Sequence, residues 1–276
     1  MYFTPKSLDD ALLQLATPGI QVVSGGTDFY PALGDRPVQA PVLDISHLRE
    51  LRGISRENEH FNIGALTTWT DLIQADLPSC FKALKDAARE IGSIQIQNRG
   101  TIAGNLCNAS PAADGVPPLL ALDAEVELAS HSGVRRMPLS EFVVGNRKTR
   151  RQPGELLTAI RIPRNLEDGA SAFLKLGARR YLVISISMVA VVLLVSGGRV
   201  VAARVAVGSC SAVARRLTAL ETTLVGASVT ELPALVDPAH LAPLSPIDDM
   251  RATAEYRLDA SLTLIRRALA ACVEAH

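Results

Sequence analysis

The apolar run LVISISMVAVVLLV, from Leu182 to Val195, limits the fold more than any other stretch of the chain. A membrane-crossing helix needs about 20 consecutive apolar residues, so this run is too short to span a bilayer. It is rich in valine and isoleucine, whose Cβ branching favours the pleated backbone, and it reads as a buried strand. The turn SGGR, at Ser196 to Arg199, and the segment VVAARVAVGS follow, while SAFLKLGA precedes. Together they predict an antiparallel sheet. Beyond it, AVARRLTALETTLVG and DDMRATAEYRLDASLTLIRRALAACVEA carry apolar residues at helical spacing.

The first half has a different texture. Ser7, followed by Asp9, Asp10, Leu8, Leu12, Leu13 and Leu15, predicts a capped amphipathic helix ending near Pro18 and Gly19. IQVVSGGT then predicts a short strand entering a glycine turn. PVLDISHL and HFNIGALTT predict strands separated by the polar SRENE, and a helix over 71–91 is interrupted by Pro78. PPLLALDAEVELAS combines a helix or turn with a strand, HSGVRRMPL a hairpin turn and return, and GELLTAIRIP another strand. Pro163 and the polar RNLEDGAS after it mark a boundary. The expectation is an α+β chain of two units, 1–168, subdivided near residue 55, and 169–276, the second of antiparallel strands and helices. A length of 276 residues accommodates two cores without disulfide support.

Lysine plus arginine equals aspartate plus glutamate at 28 each, so the net charge gives no support for a nucleic-acid or polybasic membrane surface. Cys80, Cys107, Cys210 and Cys272 lie far apart and form no CxxC, which leaves neither a zinc site nor a cysteine-ligated iron–sulfur cluster legible. They read as reduced thiols, and the N-terminus lacks an export signal, so a cytoplasmic location is expected. The histidines are scattered, without HExxH or an i, i+4 pair.

Two glycine segments carry the chemistry. QVVSGGTDFYP, residues 21–31, ends a strand in Gly25 and Gly26; NRGTIAGNLCNASPAADG, residues 98–115, repeats the theme with Thr101, Gly104, Asn105, Asn108, Ser110 and Asp114. Glycine accepts positive φ and lets a ligand approach the backbone, and successive free amides make a concave anion site. Thr27 adds a hydroxyl. Asp28 caps a helix or accepts a ribose hydroxyl. No two glycines stand in a GxG relation and there is no GxxxxGK[ST], so a bound dinucleotide would require a fold other than the Rossmann or P-loop type. Spacing alone leaves open whether these are two ordinary turns or one site.

In this order, SGGTD, TIAGN, NASPAAD, LLALDAEVEL, PGELLTAIRIP and MRATAEYRLDASLTLIRRAL resemble the FAD-binding medium subunit of the molybdenum hydroxylases, the family of xanthine dehydrogenase and aerobic carbon monoxide dehydrogenase. The likeness runs from about Met1 to Ala270. It implies a two-part FAD-binding domain of the PCMH-like type and a small C-terminal domain. It also implies that Gln21, Val22, Val23, Ser24, Gly25, Gly26, Thr27 and Asp28, with Thr101, Ile102, Ala103, Gly104 and Asn105, form loops holding the FAD pyrophosphate. By the same resemblance Asp114 contacts the ribitol or phosphate region, Leu157 and Ile91 lie near the flavin, Lys175 lies beside its ring, and Arg179 and Arg180 belong to a loop near it.

The resemblance further implies electron transfer through FAD to NAD⁺, oxygen or another acceptor. It places a molybdopterin cofactor on a large partner subunit and 2Fe-2S clusters on a small one, with a dimer of heterotrimers as the expected stoichiometry. The lack of clustered cysteines argues against the branch whose flavin subunit carries an additional four-iron cluster. No acid–base residue is assigned, because the redox chemistry belongs to the flavin. Two departures stand out: Ala103 where the family usually has glycine, and Leu182 and Val183 where an aspartate often follows the arginine pair. The alternatives are a stand-alone flavin oxidase or reductase and, on account of Ala103, a flavin-free scaffold. NRKTRR, at 146–151, reads as a solvated charged loop, with an anionic acceptor or acidic partner surface as the alternative. Cys107 has no local base and is not assigned as a nucleophile.

Overall fold

The computed structural model describes residues 1–274. Strand β1 (Tyr2–Phe3) leads to α1 (Leu8–Gln14), where the Ser7 hydroxyl accepts the Asp10 amide at 3.2 Å. Strand β2 (Gln21–Val23), the short helix α2 (Phe29–Leu33) and β3 (Val42–Asp44) complete a parallel three-stranded sheet in the order β1-β3-β2. Leu43, Ile45 and Leu48 form a small core beneath α1.

Strands β4 (Ile54–Arg56) and β5 (His60–Gly64) open a second sheet, so Ser55 and Arg56 of the polar SRENE segment are themselves strand. The pairing Arg56 with Phe61 makes it a hairpin whose polar side chains face solvent. Helices α3 (Trp69–Gln74), α4 (Lys82–Glu90), α5 (Ile94–Arg99), α6 (Ile102–Asn108) and α7 (Val116–Ala121) follow. Thr68 and Asp71 form a reciprocal capping box for α3, and Pro78 separates α3 from α4. TIAGN, expected as a loop, is instead the first turn of α6, with Thr101 as its cap.

Strands β6 (Glu125–Ser130) and β7 (Gly133–Pro138), the single turn α8 (Leu139–Phe142), the hairpin β8 (Val143–Gly145) and β9 (Lys148–Thr149), and β10 (Leu156–Pro163) come next. The large sheet runs β4-β5-β10-β6-β7, antiparallel throughout.

The last sheet is β11 (Ala170–Leu176), β12 (Ser187–Ser196), β13 (Arg199–Gly208) and β14 (Arg215–Arg216), in that order and antiparallel, followed by α9 (Thr218–Leu224) and α10 (Ala254–Glu274). Gly197 and Gly198, at φ 57° and 73°, supply the two left-handed residues that a tight hairpin turn requires. Alternate residues of β12 enter two cores. Met188, Ala190 and Val192 pack with α4 and α7, whereas Val189, Val191 and Leu193 pack with α9 and α10. A strand buried on both faces has no polar side, which explains the continuous apolar run, and each such aliphatic side chain contributes about 1.5–3 kcal/mol. The strand nevertheless starts only at Ser187: Leu182 and Ile184 are exposed, and Leu182 has φ 51°, so the run's first residues form a loop.

The two halves are fastened by charge as well as packing. Arg216 donates to Asp123 at 2.6 Å and also pairs with Glu221, while Arg204 donates to Asp123 at 2.8 Å. No described helix is long and apolar enough to cross a membrane.

Candidate functional site

The turn after β2 and the start of α6 meet. Ser24 Oγ lies 3.1 Å from Thr101 Oγ1, and Thr101 Oγ1 also accepts the Gly104 amide at 3.0 Å. The approach depends on Gly25, where a Cβ would fall 1.9 Å from the carbonyl oxygen of Arg99. Gly26 takes φ 72°, turning the chain into α2. Thr101 is held in place by a bridge to Thr68 and by the Ile102 amide donating to Thr67 O at 3.1 Å.

Around this junction lies a cavity of about 1160 Å³. Gln21, Val22, Val23, Ser24, Gly25, Gly26, Thr27 and Asp28 line one wall; Thr101, Ala103, Gly104, Asn105 and Leu157 line others. Ile102 does not: its side chain is fully buried in the core, leaving only backbone near the site. Ala103 needs no unusual backbone, because it sits in the helical first turn with its methyl packed in the same core. Asp28 stands at the cap position of α2 without making a side-chain cap, so its carboxylate is free at the cavity wall.

Three features fit a dinucleotide diphosphate. The amides of Gly25, Gly26, Thr27 and Asp28 donate to no acceptor among the described residues, and successive free amides in a turn favour an anion. Asn105 Oδ1 is buried without a hydrogen-bond partner, and a buried acceptor of this kind is stabilised by a ligand hydroxyl or N–H. The approach of the turn to Arg99 leaves space beside it that a side chain on Gly25 would disturb.

Asp114 and Lys175 do not line this cavity. They pair with each other at 2.6 Å, both nearly buried, and Ser185 donates to the other Asp114 oxygen at 2.6 Å. Burial raises the Asp114 pKa, against the opposing pull of Lys175 and Ser185. The pair is adjacent to the site, since a Cβ on the neighbouring Gly115 would lie 2.9 Å from Asn105 Oδ1. Lys175, Arg179 and Arg180 line a second cavity of about 530 Å³. Where the family often has an aspartate, Arg179 holds the loop by donating to Leu182 O at 2.6 and 3.2 Å.

Sequence reasoning left out Trp69 and read Arg147, Thr149 and Arg151 mainly as a solvated loop, yet all four line the main cavity, as does Asn108 of the second glycine segment. The NRKTRR segment is therefore only partly a solvated loop. The β8–β9 hairpin folds across the end of α6, with the Arg147 amide donating to Ala109 O at 2.9 Å, and this long-range contact has no local sequence signal. The charge run itself was the available clue. Cys107 opens into the cavity and has no base beside it among its hydrogen-bond partners.

An α+β cradle that closes two glycine segments on one cavity, followed by an antiparallel sheet with helices, defines a two-domain flavin-binding class. A family model described as the FAD binding domain in molybdopterin dehydrogenase matches residues 1–165, and the CO dehydrogenase flavoprotein C-terminal domain matches residues 172–272. The carbon monoxide dehydrogenase medium chain of Hydrogenophaga pseudoflava is 31% identical over 278 residues, 97% of this chain and 95% of that one. The nicotinate dehydrogenase FAD-subunit of Eubacterium barkeri is 39% identical over 193 residues, covering 67% of this chain and 65% of the relative. The crystal structure of the cyanide-inactivated Cu,Mo-CO dehydrogenase superposes with a TM-score of 0.91 at 30% identity, covering 100% of this chain and 98% of that one. The chain belongs to the FAD-binding medium subunits of the molybdenum hydroxylases, whose role is electron transfer through FAD.

Proposed function

We propose that the main cavity holds FAD noncovalently, with the Ser24–Asp28 turn and the Thr101–Asn105 segment around its diphosphate. The observation that carries this reading is the Ser24–Thr101 contact, which joins the two segments beside free amides. Gln21, Val22, Val23 and Leu157 supply wall, Ile102 supplies backbone, and Ala103 borders the diphosphate from the first turn of α6 with its methyl turned into the core. Asn105 Oδ1 accepts a hydrogen bond from the cofactor. Asp114 and Lys175, as a neutral-sum pair, border the ring end. When bound, FAD takes up and releases the electrons. The chain's own residues bind, orient and desolvate it, and none transfers a proton.

The complex proposed around this subunit contains a molybdopterin-binding large subunit and a 2Fe-2S small subunit, as two heterotrimers, in the cytoplasm. Electrons pass from the iron–sulfur clusters through this chain to NAD⁺, oxygen or another acceptor. Relatives named as carbon monoxide and nicotinate dehydrogenase subunits support the assembly, and four unpaired thiols fit a reducing compartment. Purification from the native host tests it: FAD, molybdenum and iron are expected in one sample with both partner chains. FMN in place of FAD, or full turnover without a molybdenum-containing partner, contradicts it.

A further inference from the structure

We infer that Arg147 and Arg151, on and just after the β8–β9 hairpin, hold the adenosine diphosphate half of the dinucleotide; this rests on the FAD site proposed above. Both line the main cavity, whose only carboxylate among the described lining residues is Asp28. The two arginines therefore outnumber the acid, and the cavity carries a net positive charge suited to a diphosphate.

Neither guanidinium is paired with a described carboxylate. Arg147 donates to Asn108 O at 3.4 Å and Arg151 to Glu155 O at 2.7 Å, contacts that position each side chain without neutralising it. Arg150, between them in sequence, is different: it donates to Glu141 at 3.3 Å and does not line the cavity. The segment thus turns two unpaired guanidiniums to the cavity, while of the two cations outside it Arg150 is paired and Lys148 has no described carboxylate partner.

The placement also suits the ligand. The glycine-turn amides gather at the first turn of α6, and the hairpin crosses its far end through Arg147 N and Ala109 O. Seven helical residues span about 10 Å, so the two sets of donors reach a single extended nucleotide diphosphate from both ends of the helix. Arginine offers a planar fork of N–H donors that matches phosphate oxygens and stacks on a ring.

The test is calorimetric titration of the full-length apoprotein with FAD and, separately, with ADP. The Arg147→Gln/Arg151→Gln double variant is expected to bind both ligands about tenfold to a hundredfold more weakly than wild type. Arg150→Gln should match wild type, and Arg147→Lys/Arg151→Lys should recover part of the loss because the charge returns. Thermal melts of the unliganded proteins establish that all are folded. A double variant that binds FAD and ADP as tightly as wild type overturns the inference while leaving the FAD site intact. A folded wild-type chain that binds no FAD overturns the function on which it rests.

Discussion

Ser24 and Thr101, far apart in sequence, meet hydroxyl to hydroxyl at 3.1 Å. That contact brings the end of a parallel strand to the cap of a helix and makes one wall out of two glycine segments. Since Thr101 also caps α6 through the Gly104 amide, the helix start and the site wall are fixed together.

The tightest point beside this contact is Gly25. An alanine there would place its methyl 1.9 Å from Arg99 O, and backbone on both sides must move. Gly25→Ala is expected to destabilise the chain by about 1–3 kcal/mol and to abolish stable FAD uptake. Urea denaturation and flavin absorbance after gel filtration measure the two effects. Wild-type values for both contradict the assigned packing.

The Asp114–Lys175 pair makes a different prediction. Lys175→Met leaves a buried carboxylate without its counter-charge and should cost about 3–5 kcal/mol. Adding Asp114→Asn should restore much of that loss, because neither group is then charged. In the single variant the Asp114 pKa lies above its unfolded value. Its stabilising effect is therefore fully present below the unfolded value of about 4 and disappears as pH rises through the folded one. Stability relative to wild type should improve on acidification; a pH-independent difference contradicts this.

Asp249 has the opposite sign. Its pKa is held at about 2, first by the Arg251 amide and then by the guanidiniums of Arg257 and Arg251 and the Ala252 amide. The stability it contributes is present above an unfolded value of about 4 and is lost as pH falls towards the folded value. Asp249→Asn should lower the melting temperature near neutrality, and the gap should narrow below about pH 4. A gap that widens with acid contradicts the assignment.

Cysteine labelling probes the cavity directly. Cys80, Cys210 and Cys272 are buried, whereas Cys107 is exposed in the cavity. Alkylation followed by peptide mass spectrometry should modify Cys107 first, slowly at neutral pH and faster as pH rises. FAD should slow it. Equal labelling with and without FAD contradicts the position of the cofactor.

Much of the fold was legible because its signals are local. Ser7 caps α1, Pro78 ends the α3 segment, and Gly197–Gly198 turns the β12–β13 hairpin, each through the conformation or hydrogen bonding of a few adjacent residues. Other features depend on distant partners. Leu182 and Ile184 share the composition of β12 but lie before its pairing with β11, and the polar Ser55 and Arg56 form a strand because Asn62 and Phe61 pair with them. For the site, glycine and hydroxyl chemistry pointed to the two segments, and the family resemblance implied their convergence. Arg147, Thr149 and Arg151 read mainly as a solvated charged loop, because only the fold brings the hairpin across α6.

Trp69 is the chain's single tryptophan and lines the cavity while remaining almost wholly buried. Its fluorescence therefore reports on the site without a label. Titration of the apoprotein with FAD should quench Trp69 emission to saturation at one FAD per chain, and Gly25→Ala should lose the response. A folded wild-type chain whose emission is unchanged by FAD, beyond the inner-filter loss shown by free tryptophan, would contradict the account.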